Sequence, residues 1–183
     1  MPRVHQRVAY AKGGGCVRLG GEMTIRPATP ADVPSVLPMV DKLAALHMKW
    51  DPVRYDYKPE TGQMYRRWMT ARASDPNSVF LVADHDRLLA DVPYLVGFLV
   101  ATVEKPIPIY RVDRFGFIHD VFVEEDYRHE GVGRQMTMLA LERFREIGVT
   151  QIRLETAAAN DAARKLFASC GFRAASTEML VEL

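Results

Sequence analysis

An apolar strand that runs into a glycine turn and restarts as a helix leaves a chain few ways to fold. Residues 121–134 read that way. Val121-Phe122-Val123 leads through Glu124 to Glu130, and Gly131-Val132-Gly133-Arg134 then opens a helical pattern. Glycine in such a turn admits positive φ and lets another molecule come close to the backbone. The first N–H groups of a helix lack partners within it, and the helix dipole adds to their pull on an anion. Arg128 and Arg134 bracket the turn with positive charge. The stretch is an anion loop in chemistry, without naming the anion.

The periodicity on either side predicts one α/β domain around a mixed sheet. Thr24-Ile25-Arg26 is a short strand, and Thr29 to Asp32 is a helix start with a Thr cap and an acid three residues on. Val33, Val36, Leu37, Val40, Leu43 and His47 recur at helical spacing. An aromatic-rich loop holds Trp50, Tyr55 and Tyr57, and a second helix covers about residues 61–73 through Met64, Tyr65, Trp68 and Met69. Strands follow at Val79 to Ala83, Leu95 to Val103 and Phe115 to Val123, with a turn expected over Asp84 to Arg87. A helix from Gly133 to Ile147 stops at Gly148, a strand runs from Gln151 to Glu155, and Asn160 opens a short helix ended by Gly171. Thr177 to Leu183 alternates and is expected to close the chain as a strand.

Charge narrows the partners. Twenty-four Lys plus Arg against twenty-three Asp plus Glu give a net charge of +1, which argues against nucleic acid, whose phosphates need clustered basic surplus. No apolar run reaches the roughly 20 residues that cross a bilayer, so no membrane association is expected. Two cysteines, Cys16 and Cys170, are too few for a disulfide scaffold or a zinc site, so no metal is expected and a cytoplasmic setting is the default. Residues 1–22 are broken by Gly13-Gly14-Gly15 and Gly20-Gly21 and read as a flexible extension before a single domain over 23–183, with Met23 as an alternative start.

Three readings of the glycine loop compete. It can be a helix start whose glycines merely turn the chain. It can belong to a dinucleotide fold, since Glu155 ends the next strand 22 residues after Gly133, near the spacing of a ribose-binding acid, although Met136 stands where a third glycine belongs. The third reading covers more residues. Arg128-x-x-Gly131-x-Gly133 after an apolar strand resembles the pyrophosphate loop of the GNAT superfamily of N-acetyltransferases. Asn160-x-x-Ala163-x-x-Leu166-Phe167 followed by Gly171-Phe172 is similar to the family's last block, and the likeness extends upstream through Ile25-Arg26-Pro27-Ala28.

The resemblance implies a largely antiparallel twisted sheet flanked by helices, acetyl-CoA as cosubstrate, and a primary amine of a small molecule or peptide as acceptor. It implies that the backbone of Val121, Phe122 and Val123 pairs with the pantetheine arm. It implies too that the amides of His129, Glu130, Gly131, Val132, Gly133 and Arg134, with Arg128 nearby, hold the pyrophosphate. Asn160 matches an asparagine near the pantetheine, besides being a helix cap. An alkyl ammonium of pKa about 10.4 costs roughly 4.6 kcal/mol to deprotonate at pH 7, so a base is useful. His119 or Asp120 lies where the family often places one, with Glu155 next in order. Strict alternation sends His119 and Asp120 to opposite faces of the sheet. His47, Trp50, Tyr55 and Tyr57 fall where family members build the acceptor wall.

One position departs from the pattern. Phe167 stands where many members carry a tyrosine that protonates the departing thiolate. The cofactor pocket keeps the ring and loses the hydroxyl. A non-catalytic acyl-CoA sensor of the same fold therefore stays open beside the enzyme, and a homodimer stays open as well.

Overall fold

The structure is a computed structural model that describes residues 17–19, 23–89 and 92–183. Its strands form one six-stranded sheet in sequence order. β1 (Val17–Leu19), β2 (Met23–Pro27), β3 (Ser78–Leu89), β4 (Val92–Glu104) and β5 (Phe115–Val123) pair antiparallel, and β6 (Ile152–Leu154) joins β5 in parallel. The sheet is mixed and largely antiparallel, as expected. A doubly wound dinucleotide fold needs successive parallel crossovers, and among the described residues β5–β6 is the one parallel pair, which sets that reading aside. β1 lies inside the segment expected to be a flexible extension, so the sheet starts ahead of Met23. The rest of that segment lies outside the described residues.

Two other expectations change. The turn expected over Asp84 to Arg87 is strand: β3 continues to Leu89, with register shifts after Ala83 and after His85 that absorb the irregularity. The polar Asp84 is tolerated there because Arg26 of β2 donates to it at 2.9 Å. The closing strand expected at Thr177 to Leu183 does not form; those residues pair with no strand. Alternation favours a strand only where a partner edge meets it, and here Met179, Val181 and Leu183 stay exposed.

Helices cover both faces. α1 (Val33–Trp50) and α2 (Thr61–Ala73) bury Val36, Met39, Val40, Leu43 and Met69 against Phe98, Val100 and Phe122. α3 (Val132–Glu146) buries Val132, Met136, Ala140 and Phe144 against Leu99, Ala101 and Ile118 on the other face. Gly116 is required there: a Cβ on it would lie 2.9 Å from the Phe144 ring. α4 (Asp161–Ser169) packs beside α3, where Leu166 comes within 3.3 Å of the place a Cβ on Gly133 would take. The base of β2 is tied by a buried ion pair, Arg26 to Asp32 at 2.7 Å. Asp32 also accepts from the Thr29 backbone and hydroxyl, the capping box read from the sequence.

Candidate functional site

β5 is longer than its parallel partner, and the mismatch makes a cleft. Gly116, Phe117 and Ile118 pair with Ile152, Arg153 and Leu154, after which β6 ends and β5 runs on to Val123. Among the described residues, no strand pairs with β5 on its β6 side beyond Ile118. The space is walled by Leu43 and His47 of α1, Asp120 and Val121 of β5, Leu154 and Glu155, and Asn160, Ala163, Leu166 and Phe167 of α4.

A bulge sits at the mouth of this cleft. Asp120 opposes Val100 and Ile118 opposes Ala101, so His119 is an extra residue in β5. The expectation that His119 and Asp120 point to opposite faces is thereby corrected: both turn toward α2. His119 lies edge-on to Trp68, with centroids 5.1 Å apart, and Asp120 meets Tyr65. A one-residue bulge restores the alternation only after Asp120, returning Val121 to the α3 face.

The two residues differ in setting. Asp120 is 7% exposed and accepts a hydrogen bond from the Tyr65 hydroxyl at 3.1 Å. Burial pushes its carboxyl up to about 6, and the Tyr65 bond pulls the other way. Burial and the Asp120 charge hold the Tyr65 phenol far above its usual range, so it stays protonated. The Thr102 hydroxyl donates to Glu104 at 2.6 Å and lies 2.7 Å from His119 Nε2. With its one proton spent on Glu104, Thr102 accepts from the Nε2–H of His119. Burial lowers the His119 pKa, with Glu104 opposing and Arg72 assisting.

His47 faces the cleft from α1, with Tyr57 of the following loop behind it. His47 Nδ1 lies 2.9 Å from the Tyr57 hydroxyl, and its ring stacks on Tyr55 with centroids 4.6 Å apart. Burial lowers the His47 pKa. Burial, then the Asp120 charge, raises that of Tyr57. Arg54 lies at the rim, paired with Glu178 at 2.9 Å and Glu155 at 3.4 Å. The tyrosine on Asp120 was not singled out from the sequence. The available signal was a Tyr among the apolar positions of α2, since a buried phenol seeks an acceptor.

The glycine loop has the backbone its sequence suggests. His129 and Gly131 hold positive φ, 68° and 87°, and Gly131 caps α3. Nothing lies within 4 Å of where a Gly131 Cβ would be, so the loop's outer side is open. Gln135 is the first amide bonded back, to Gly131. Phe122 and Val132 bury their side chains and offer only backbone. Arg128 turns back: its Nε donates to the Val123 carbonyl at 3.0 Å and its guanidinium lies 5.6 Å from the Phe122 ring centroid. His129, Glu130 and Arg134 are exposed. Asn160 is the α4 cap, accepting from the Ala163 amide at 3.0 Å. Phe167 is 8% exposed and packs edge-on to Phe172. Among the described residues no three His, Cys, Asp or Glu side chains gather as metal ligands, and no helix is long and apolar enough to cross a membrane.

Comparison with known proteins agrees with this geometry. Residues 42–172 match the model of the acetyltransferase (GNAT) family. No curated protein matches the sequence. A tetramutant of the BH1408 protein from Bacillus halodurans is similar in structure, with a TM-score of 0.70 at 20% identity over 87% of this chain and 99% of that one. A GCN5-related N-acetyltransferase from Ralstonia eutropha gives 0.63 at 19% identity, over 88% and 98%. Glucosamine-6-phosphate N-acetyltransferase from Arabidopsis thaliana gives 0.62 at 16%, over 87% and 97%. These likenesses speak to the fold, and the family match spans most of the chain. The chain belongs to the acetyltransferase (GNAT) family.

Proposed function

We propose that the chain transfers the acetyl group of acetyl-CoA to a primary amine of a small molecule or peptide. The observation that carries this reading is the free edge of β5 at Val121–Val123, which opens into a cleft beside α4 and leads directly to the left-handed Gly131 turn. An extended pantetheine finds a strand edge without a partner strand there, its Val123 carbonyl already held by Arg128, and a pyrophosphate finds the amides from His129 to Arg134 at a helix start. Arg128, fixed on Val123, serves by holding the strand end against the loop. Asn160 keeps its side-chain N–H₂ for a ligand while its oxygen caps α4.

Asp120 is the base in this reading, with His119 beside it in the bulge. A carboxyl at about 6 is ionised at pH 7 and takes a proton from an ammonium more readily than an ordinary Asp near 3.9. The His119 ring is held by Thr102 and Trp68, so its contribution is to fix the bulge that aims Asp120. A sensor that binds acyl-CoA without turnover is favoured by one feature, the missing hydroxyl at Phe167.

The test is calorimetry of CoA binding together with an acetyl-CoA turnover screen over an amine library. Binding with turnover of at least one amine is the expected result. Binding without turnover of any amine means a sensor, and no CoA binding overturns the reading.

A further inference from the structure

Acetyl transfer to an amine releases two protons from nitrogen. The ammonium loses the first before it can attack. The second leaves as the C–N bond forms, and the C–S bond then breaks with its electron pair on sulfur, which needs a proton to depart as thiol. Asp120 accounts for the first. Phe167 carries no hydroxyl for the second, and two acid–base side chains beside Asp120 are already engaged, Tyr65 with Asp120 and His119 with Thr102.

We propose that His47, held by Tyr57, carries the second proton from the amine nitrogen to the sulfur, taking the place of the hydroxyl absent at Phe167. This rests on the acetyltransferase reading above. His47 lines the same cleft as Asp120, Val121 and Phe167. Its Nδ1 lies 2.9 Å from the Tyr57 hydroxyl. With Nδ1–H donating to that oxygen, Nε2 keeps its lone pair for the amine proton. The imidazolium so formed is held by the Tyr57 oxygen and by the face of Tyr55. An imidazolium is a stronger acid than a thiol near 8.5, so the proton passes on to the departing sulfur and His47 returns to neutral within one turnover. The charged and titratable groups around it are His119 and Asp120 from β5, Glu155 after β6, Asp51, Arg54, Tyr55 and Tyr57 of its own connecting loop, and Glu178 on Arg54. α4 faces the cleft with Asn160, Ala163, Leu166 and Phe167, none of which titrates.

Tyr57 is a positioning residue in this scheme, because it acts through His47. Its loss should release the tautomer without emptying the CoA site.

Three measurements on the full chain test the proposal. In the parent, side-chain ¹⁵N shifts should show His47 protonated on Nδ1 in its neutral form, and Tyr57→Phe should move it toward the Nε2–H form. His47→Ala should lower kcat by about 10²-fold or more with the calorimetric CoA affinity retained, and added imidazole should restore a good part of the loss. Imidazole should do nothing for Asp120→Asn. Tyr57→Phe should lower kcat while leaving the KM for acetyl-CoA within twofold. An Nε2–H tautomer in the parent, a His47→Ala kcat within twofold of the parent, or a loss that imidazole cannot restore each overturns the proposal. A parent that binds CoA and acetylates nothing fails the acetyltransferase reading, and this proposal with it. Turnover in the parent with unchanged turnover in His47→Ala fails this proposal alone.

Discussion

The Tyr65 hydroxyl donates a 3.1 Å hydrogen bond to Asp120 Oδ2, joining the second helix to the bulge of the fifth strand. That bond is the hydrogen bond that holds a carboxylate only 7% exposed. Tyr65→Phe removes the donor and leaves the aromatic packing against Trp68. The expected cost is about 1–3 kcal/mol above pH 6, where Asp120 is ionised, and less below pH 4. Urea unfolding of both proteins at pH 8 and pH 4 checks this; an equal loss at the two values would mean that packing, and not the bond, carries the effect.

Asp120 itself should weaken the fold it serves. Its folded carboxyl lies near 6 against an ordinary 3.8. Stability is therefore complete below pH 3.8, falls as pH rises through 6, and stays lowered above. One pKa unit corresponds to 1.36 kcal/mol, so the penalty at pH 8 is at most about 3 kcal/mol. Asp120→Asn keeps an acceptor for Tyr65 and does not titrate. It should melt higher than the parent at pH 8 and match it near pH 3.5. Its acetyl transfer should fall by about 10²–10⁴-fold at pH 7 and recover in part at high pH, where the amine deprotonates unaided. A pH–rate profile parallel to that of the parent would remove Asp120 from the proton path.

Two glycines separate ligand effects from packing effects. Gly131 has φ of 87° and open space around it. Gly131→Val should cost about 1–3 kcal/mol of strain and weaken CoA binding by tenfold or more. Gly116 lies under Phe144. Gly116→Ala should cost a similar amount through overpacking and leave CoA affinity within twofold in the folded fraction. Calorimetry and thermal melts on both variants distinguish the two roles, and equal affinities would argue against the loop as the phosphate site.

Arg26 holds Asp32, which is 5% exposed, and Asp84 together. Arg26→Met leaves Asp32 with only the Thr29 donors. The expected loss is about 3–5 kcal/mol, typical of an orphaned buried charge. Denaturant titration at pH 7 measures it, and a loss below 1 kcal/mol would mean that water reaches Asp32 freely.

The glycine loop, the amphipathic faces of α1 and α3 and the Asn160 cap were legible because each depends on residues close in sequence. Spacing of Val33, Val36 and Val40, or a Gly just before a helix, carries its own local physics. The cleft residues were half legible. Asp120 and His119 stood out as a polar pair in an apolar strand, and their shared face did not, because a bulge is set by pairing with β4 rather than by any residue within β5. Tyr65 and Tyr57 needed the helices to be docked before their hydroxyls had partners. Thr177 to Leu183 carries the pattern of a strand, and β6, three residues long, gives it no ladder to join.

The extra residue in β5 also makes chain length a variable of function. A point substitution at His119 alters its contacts with Thr102, Trp68 and Phe117. Deleting His119 would leave Ile118 opposite Ala101 and Asp120 opposite Val100, so each pair of the ladder survives and the strand straightens. A straight β5 would keep the cleft left by the short β6 and would lose the ring that lies on Thr102 and Trp68 beside Asp120. Such a shortened chain should keep CoA binding while losing acetyl transfer. Drift of the acceptor pocket among related sequences would then be permissive in residue type and strict in the number of residues between Phe115 and Val123.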